Sequence, residues 1–170
     1  MPEIWDIYDE KREKTGKTAI RGVDKLKENE YHIVVTGVIL NSKNEILITQ
    51  RAPFKTFPLM WECNGGSIIA GETSLQGVIR ELKEEVGVDV SKEKVILLKT
   101  LKRTETPPDF KDVWIFRKDI KDEEITLPDG EAINYKWVTI DEFINMYEKN
   151  EIVPTVDFFR EDFEKAITLI

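Results

Sequence analysis

Three glutamates at helical spacing, Glu81, Glu84 and Glu85, are the side chains of this sequence best suited to do chemistry. Residues three and four apart lie over one another on a helix, so the three carboxylates fall on one patch. Like charges at that spacing repel, and acids in the last turns also meet the negative end of the helix dipole, where Lys or Arg is the stabilising choice. Local stability does not select such a cluster. A divalent cation removes both penalties, because it binds several carboxylate oxygens and is itself favoured at a helix C-terminus. The patch therefore reads as a Mg²⁺ or Mn²⁺ site. The competing reading is a solvated acidic face, the ordinary fate of a charge run on a helix.

The element that must carry the patch has a beginning and an end. From Thr73 to Val86 the apolar residues Leu75, Val78, Ile79, Leu82 and Val86 recur at spacings of three and four, the stripe of an α-helix facing a core. Thr73 is placed as N-cap with Gln76 completing a capping box, and Gly87 supplies a left-handed residue to end the helix. Tyr31 to Leu40 and Glu45 to Arg51 are strand-like on either side of the turn sequence NSKN, which predicts a β-hairpin. Val95 to Lys102, Asp112 to Lys118 and Asn134 to Val138 are further strands. The loop around Glu105, Pro107, Pro108 and Asp109 is placed to border a site. Ile140 to Lys149 and Thr155 to Ile167 show helical spacing, and the first thirty residues predict a short strand or hairpin with its turn near Thr15 and Gly16. Strands and helices mixed in this order make an α/β protein.

From Gly66 to Val88 the chain reads GSIIAGETSLQGVIRELKEEVGV, which fits G-x5-E-x7-R-E-U-x-E-E-x-G-U with U a bulky aliphatic residue. Chance would place the seven fixed residues with a probability on the order of 10⁻⁸ per starting position. The run resembles the Nudix box, and the chain is similar to the Nudix hydrolase superfamily. That resemblance implies a Nudix-type α/β/α sandwich with a mixed β-sheet, one domain over residues 1–170 with 1–30 as an N-terminal extension packed on it. It also implies cleavage of a diphosphate linkage in a nucleoside diphosphate derivative by water attack at phosphorus, with Mg²⁺ or Mn²⁺. Glu81, Glu84 and Glu85 become the ligand set, joined by the backbone carbonyl of Gly65, and Glu81 or Glu85 also orients or deprotonates the water. Arg80 is expected to pair with Glu72 or Glu81 and hold the carboxylates in place. Relatives recruit a further glutamate before a late strand, which points to Glu131, with Glu123 and Glu124 as rivals. Arg51 at its strand end is a candidate phosphate contact.

The segments Trp5 to Gly22, EYHIVVTGVILNSKNEILITQRA and PLMWECNGG look like the branch related to isopentenyl-diphosphate isomerase. That chemistry needs a cysteine immediately before the box glycine and a metal site rich in histidine. Gly65 and Ser67 stand at the decisive positions, Cys63 is displaced by two residues, and His32 is the single histidine. Isomerase activity is not expected, and His32 and Cys63 read as structural residues. A catalytically idle Nudix domain serving as ligand sensor is the remaining alternative, against which an intact glutamate set argues.

Composition bounds the rest. At 170 residues and 41% hydrophobic content, one globular domain is expected. A lone cysteine excludes an internal disulfide, and no apolar run resembles a signal peptide or a membrane span, so the cytoplasm is the expected location. The net charge of −8 argues against nucleic-acid and membrane partners. It also gives the cation a second duty, since an anionic phosphate would be repelled by bare carboxylates. The expected partner is a small phosphorylated substrate; assembly is open, a homodimer included. Trp5, Tyr8, Phe54, Phe57, Trp61 and Trp114 either stack on a base or fill the core.

Overall fold

The computed structural model describes residues 1–128 and 130–170. An N-terminal hairpin, β1 (Ile4–Tyr8) and β2 (Lys14–Ile20), precedes β3 (His32–Leu40), β4 (Glu45–Arg51) and a short β5 (Trp61–Glu62). Helix α1 (Ser74–Val86) follows, then β6 (Lys94–Arg103), β7 (Asp109–Arg117), β8 (Ala132–Thr139), α2 (Ile140–Glu148) and α3 (Arg160–Leu169). The main sheet has six strands in the order β5-β4-β3-β7-β6, with β8 also pairing with β4. It is mixed: β3 and β7 run parallel, from His32 opposite Asp109 to Leu40 opposite Arg117, while the other pairs are antiparallel.

The expected hairpin of β3 and β4 closes only at its turn. Asn41 Oδ1 accepts from the amides of Lys43 and Glu45, and the strands then pair at Leu40 and Ile46 and diverge. Beyond that point the chain leading to α1 fills the gap. Gly37 N donates to Asn64 O and Val35 N to Gly66 O, both at 2.8 Å, and Ile68 N donates to Ile33 O at 3.0 Å. A Cβ on Gly65 would sit 2.0 Å from the Val35 carbonyl oxygen, so only glycine lets the segment lie this close.

Alternation along the strands assigns the two faces. Ile33, Val35 and Ile39 pack with Phe110 and Phe116 beneath Val78, Leu82 and Val86 of α1. Gly37 allows the helix in, since a Cβ there would meet Leu82 Cδ1 at 2.8 Å. On the other face Val38, Leu40, Ile46, Ile48, Val113 and Ile115 pack beneath Phe143 and Met146 of α2 and Phe163 of α3. This is the expected α/β/α sandwich around a mixed sheet.

Two boundaries differ from the sequence reading. The N-terminal hairpin turns at Asp9 to Glu13, where Asp9 Oδ1 accepts from the amides of Lys11 and Glu13 at 2.9 Å. Thr15 and Gly16 lie inside β2 instead. Helix α3 starts at Arg160, not Thr155, because Asp162 turns back to cap the Phe159 amide at 3.0 Å, while Phe158 is buried from a non-helical stretch. The hairpin is tied to the main sheet by reciprocal 2.8 Å backbone bonds between Tyr8 and Tyr31, by Ala70 N donating to Ile4 O, and by Arg12 paired with Asp112. Among the described residues no helix is long and apolar enough to cross a membrane.

Candidate active site

Helix α1 has the ends its sequence calls for. Thr73 Oγ1 accepts from Gln76 N at 3.2 Å, Gln76 Oε1 accepts from Thr73 N at 2.9 Å, and Gly87 closes the helix at φ 74°. With both ends fixed, the glutamates meet the segment that fills the sheet gap. The approach is close: a Cβ on Gly77 would lie 2.3 Å from Ile68 Cγ2, and one on Gly66 would lie 2.7 Å from the Glu81 carboxylate.

Arg80 stands between the acids. Its Nε and Nη2 hold Glu72 through both carboxylate oxygens at 2.8 and 3.0 Å. Nη1 donates to Glu81 Oε1 at 2.8 Å and to Glu84 Oε2 at 3.0 Å, and Nη2 also reaches the Ser67 carbonyl at 3.1 Å. The bond to Glu72, with the further bond to Glu81, raises the guanidinium pKa against the effect of burial. Burial works against ionised Glu72 as well, yet its Arg80 bonds and the Ile69 amide hold its carboxyl below the usual range. Arg80 thus pairs with both of its expected partners.

The three helix carboxylates do not share one evenly exposed patch. Glu84 has a side chain 60% exposed, Glu81 only 12%. Glu85 turns inward, where its Oε2 accepts from Gly65 N at 2.9 Å. Among the described residues no three His, Cys, Asp or Glu side chains converge on one point, because Arg80 draws Glu81 and Glu84 to itself while Gly65 holds Glu85. Burial pushes Glu85 up to about 8, the charges of Glu81 and Glu62 push the same way, and the Gly65 amide opposes them. Burial also raises Glu81, against the pull of Arg80. Asn64 and Gly66 give their carbonyls to β3, leaving the Gly65 carbonyl between them as one not taken by that strand. Carboxylate and carbonyl oxygens around a buried, mutually repelling pair of acids are a donor set that fits a hard divalent cation.

A cleft of about 610 Å³ opens beside this segment, with Glu62, Gly65, Gly66 and Ser67 on its rim. Glu105, Thr106, Pro107 and Asp109 form another wall, so the proline-containing loop borders this cleft. Arg51 also faces the cleft, but its donors are engaged: Nη1 with both oxygens of Glu62 at 2.8 and 2.7 Å, Nε with Thr56 O and Nη2 with Thr56 Oγ1. Glu131 lies outside the cleft lining, its carboxylate paired with Lys55 and its carbonyl accepting from Ala52 N. Cys63 is buried and its thiol is pushed up by burial, which keeps it unreactive.

Two residues in the cleft are ones that sequence reasoning missed. Glu62 is raised by burial and restrained by Arg51, and its charge reaches Glu85. Lys111 is buried, lowered to about 8 by that burial with the charge of Arg103 adding to it, and donates to Thr155 Oγ1 at 3.0 Å. A signal for Lys111 exists in the sequence: in DFKDVWIFR it shares its face with Val113 and Ile115, so a cation sits where period-two alternation demands a core residue.

Comparison with known proteins gives consistent answers. A family model described as NUDIX domain matches residues 30–157. An uncharacterized Nudix hydrolase of Listeria monocytogenes is 35% identical over 156 residues, covering 89% of each chain. An 8-oxo-dGTP diphosphatase of Escherichia coli is 47% identical over 55 residues, 32% of this chain and 43% of that one. The crystal structure of DR0079 from Deinococcus radiodurans shares the fold with a TM-score of 0.71 at 23% identity, covering 86% of this chain and 90% of that one.

Proposed function

The chain belongs to the Nudix family and is a pyrophosphohydrolase of that family, and from that membership we propose that it cleaves the diphosphate linkage of a nucleoside diphosphate derivative with the help of Mg²⁺ or Mn²⁺. The observation that carries the reading is Glu85: a carboxylate turned inward, next to Glu81 and Glu62, and raised to about 8. Left alone, such a group weakens the fold. Given a cation, it becomes a ligand.

Glu81, Glu84, Glu85 and the Gly65 carbonyl would hold the ion, and Arg80 would position them through its grip on Glu72. A bound divalent cation supplies positive charge for the phosphoryl oxygens and makes water more acidic. The chain's own residues do the rest. Arg80 would share Glu81 and Glu84 with the ion, and its two bonds to Glu72 would keep the guanidinium in place. Glu81 or Glu85 orients the attacking water and accepts its proton. Arg51 meets the substrate phosphate by sharing the guanidinium that now holds Glu62. Glu131, paired with Lys55 and outside the cleft lining, is left out of the reacting set.

The test is turnover on nucleoside di- and triphosphates, dinucleotides and nucleotide sugars, with Mg²⁺, with Mn²⁺ and with a chelator. Turnover with either metal and none with the chelator is expected. Tight ligand binding without turnover under any of these conditions would make the chain a sensor and overturn the reading.

A further inference from the structure

His32 opens β3 and is 2% exposed, yet neither of its ring nitrogens has a hydrogen-bond partner within the chain. Among the described residues it is the one buried side chain left so. A buried donor or acceptor with no partner bears the full cost of leaving water, and native folds rarely tolerate it without a reason. The ring is covered on one face. Trp5 of the N-terminal hairpin stacks on it at 3.9 Å between centroids and 16° between planes.

His32 belongs to the lining of the cleft beside the site, with both nitrogens shut off from bulk solvent. His32 lies opposite Asp109 on β7, and the next pair on the same face is Val34 with Lys111, so both polar side chains line one floor. On that face α2 and α3 cover Val38 and Leu40 but not the His32 end. Burial lowers His32 to about 4, the neighbouring charge of Asp109 only partly opposing it. At neutral pH the ring is uncharged and offers one N–H and one lone pair.

Resting on the pyrophosphohydrolase reading, we propose that His32 is a specificity-determining residue, hydrogen-bonding the polar group of nucleoside or sugar type that the substrate carries on its diphosphate, with Trp5 holding the ring in place. A hydrocarbon substituent satisfies neither nitrogen, and an ionised phosphate, which only accepts, would leave the ring's lone pair without a donor. Hydroxyls and base edges satisfy a donor and an acceptor together. Trp5 precedes the residues matched by the family domain, 30–157, so the extension orients the reader.

The test is equilibrium binding by calorimetry with Ca²⁺ in place of the catalytic metal, so that turnover does not enter. The ligands are ADP, CDP and UDP-glucose, against isopentenyl diphosphate and inorganic pyrophosphate. At least one nucleoside or sugar-bearing ligand is expected to bind the wild type tenfold or more tighter than both comparators. His32→Phe, which keeps the stack on Trp5, should erase that margin, leave pyrophosphate binding unchanged and leave Tm equal or higher, while His32→Asn should restore part of the margin. A margin absent from the wild type, or intact in His32→Phe, overturns the inference while pyrophosphate binding stands. A fall in Tm in His32→Phe would assign the nitrogens to the fold instead and likewise overturn it. Failure of every ligand to bind, pyrophosphate included, overturns the diphosphate reading itself.

Discussion

The helices on the two faces of the sheet bury apolar stripes in the same way and place their acids at opposite ends. Helix α2 carries Asp141 and Glu142 in its first turn, and α3 carries Glu161 and Asp162 there, at the end where the dipole favours negative charge. Helix α1 has no acid in its first turn and gathers Glu81, Glu84 and Glu85 in its last two. The titrations follow the placement. The Thr139 amide and hydroxyl hold Glu142 below the usual carboxylate range, whereas burial and like charge drive Glu85 up to about 8. One residue type has been used to close a helix on one face and, at Glu85, to bury a carboxyl whose ionised form the fold disfavours on the other, so stability does not explain the second choice.

The largest effect that would sharpen this contrast belongs to the stabilising face. Phe143 is fully buried and meets Phe158 and Phe163 edge-on at 5.1 and 5.5 Å. Phe143→Ala should lower unfolding stability by about 3–5 kcal/mol in a denaturant titration and leave turnover per folded molecule near the wild-type value. Selective loss of turnover would show that the two faces are not separable.

On the α1 face Glu85→Gln should lower turnover roughly a hundredfold or more, measured at saturating metal. The same substitution bears on pH. Because the folded pKa of Glu85 lies above the ordinary 4.5, its favourable contribution is complete below that value and is lost as pH rises toward about 8. Metal-free protein should therefore lose stability between pH 5 and pH 8, and Glu85→Gln should flatten that slope; an equal slope in the variant would remove Glu85 as its source. A lesser effect is expected of Arg80→Lys, which cannot hold Glu72 through two oxygens and reach Glu81 at once. Apparent metal affinity should fall by about 10–100-fold, read from the metal dependence of the rate. The smallest change belongs to Glu84→Gln. Arg80 already offsets the repulsion there and the side chain is 60% exposed, so metal-free stability should move by less than about 0.5 kcal/mol.

What the sequence disclosed, and what it withheld, divides by range. The caps of α1 and its apolar stripe depend on neighbours within four residues, and Thr73, Gln76 and Gly87 behave as read. The turn of the first hairpin also depends on local contacts, but the Thr-Gly pair outweighed Asp9, whose side chain collects two amides and turns the chain between Asp9 and Glu13 instead. Longer-range pairing was hidden. Nothing local says that β3 leaves β4 after one pair to run parallel with β7, about seventy residues on. The site divides likewise: Glu72, Arg80 and Glu81 form their expected contacts within one motif, while the cleft of Glu62, Lys111 and His32 is assembled from three strands. His32 and Lys111 each put a polar residue on the inward face of an apolar strand, a departure visible in the alternation whose meaning emerges only once it is known which part of that face stays uncovered.

The segment filling the gap beside β3 also makes the site observable from the core. The amides of Val35 and Gly37 end on the carbonyls of Gly66 and Asn64, so their protection from solvent hydrogen exchange depends on the short stretch of backbone that carries Gly65. Neighbouring amides bonded to β7 answer to a regular ladder instead. Deuterium uptake at these two positions, followed with and without a divalent cation, would report how firmly the Gly65 backbone is seated without any substrate being turned over.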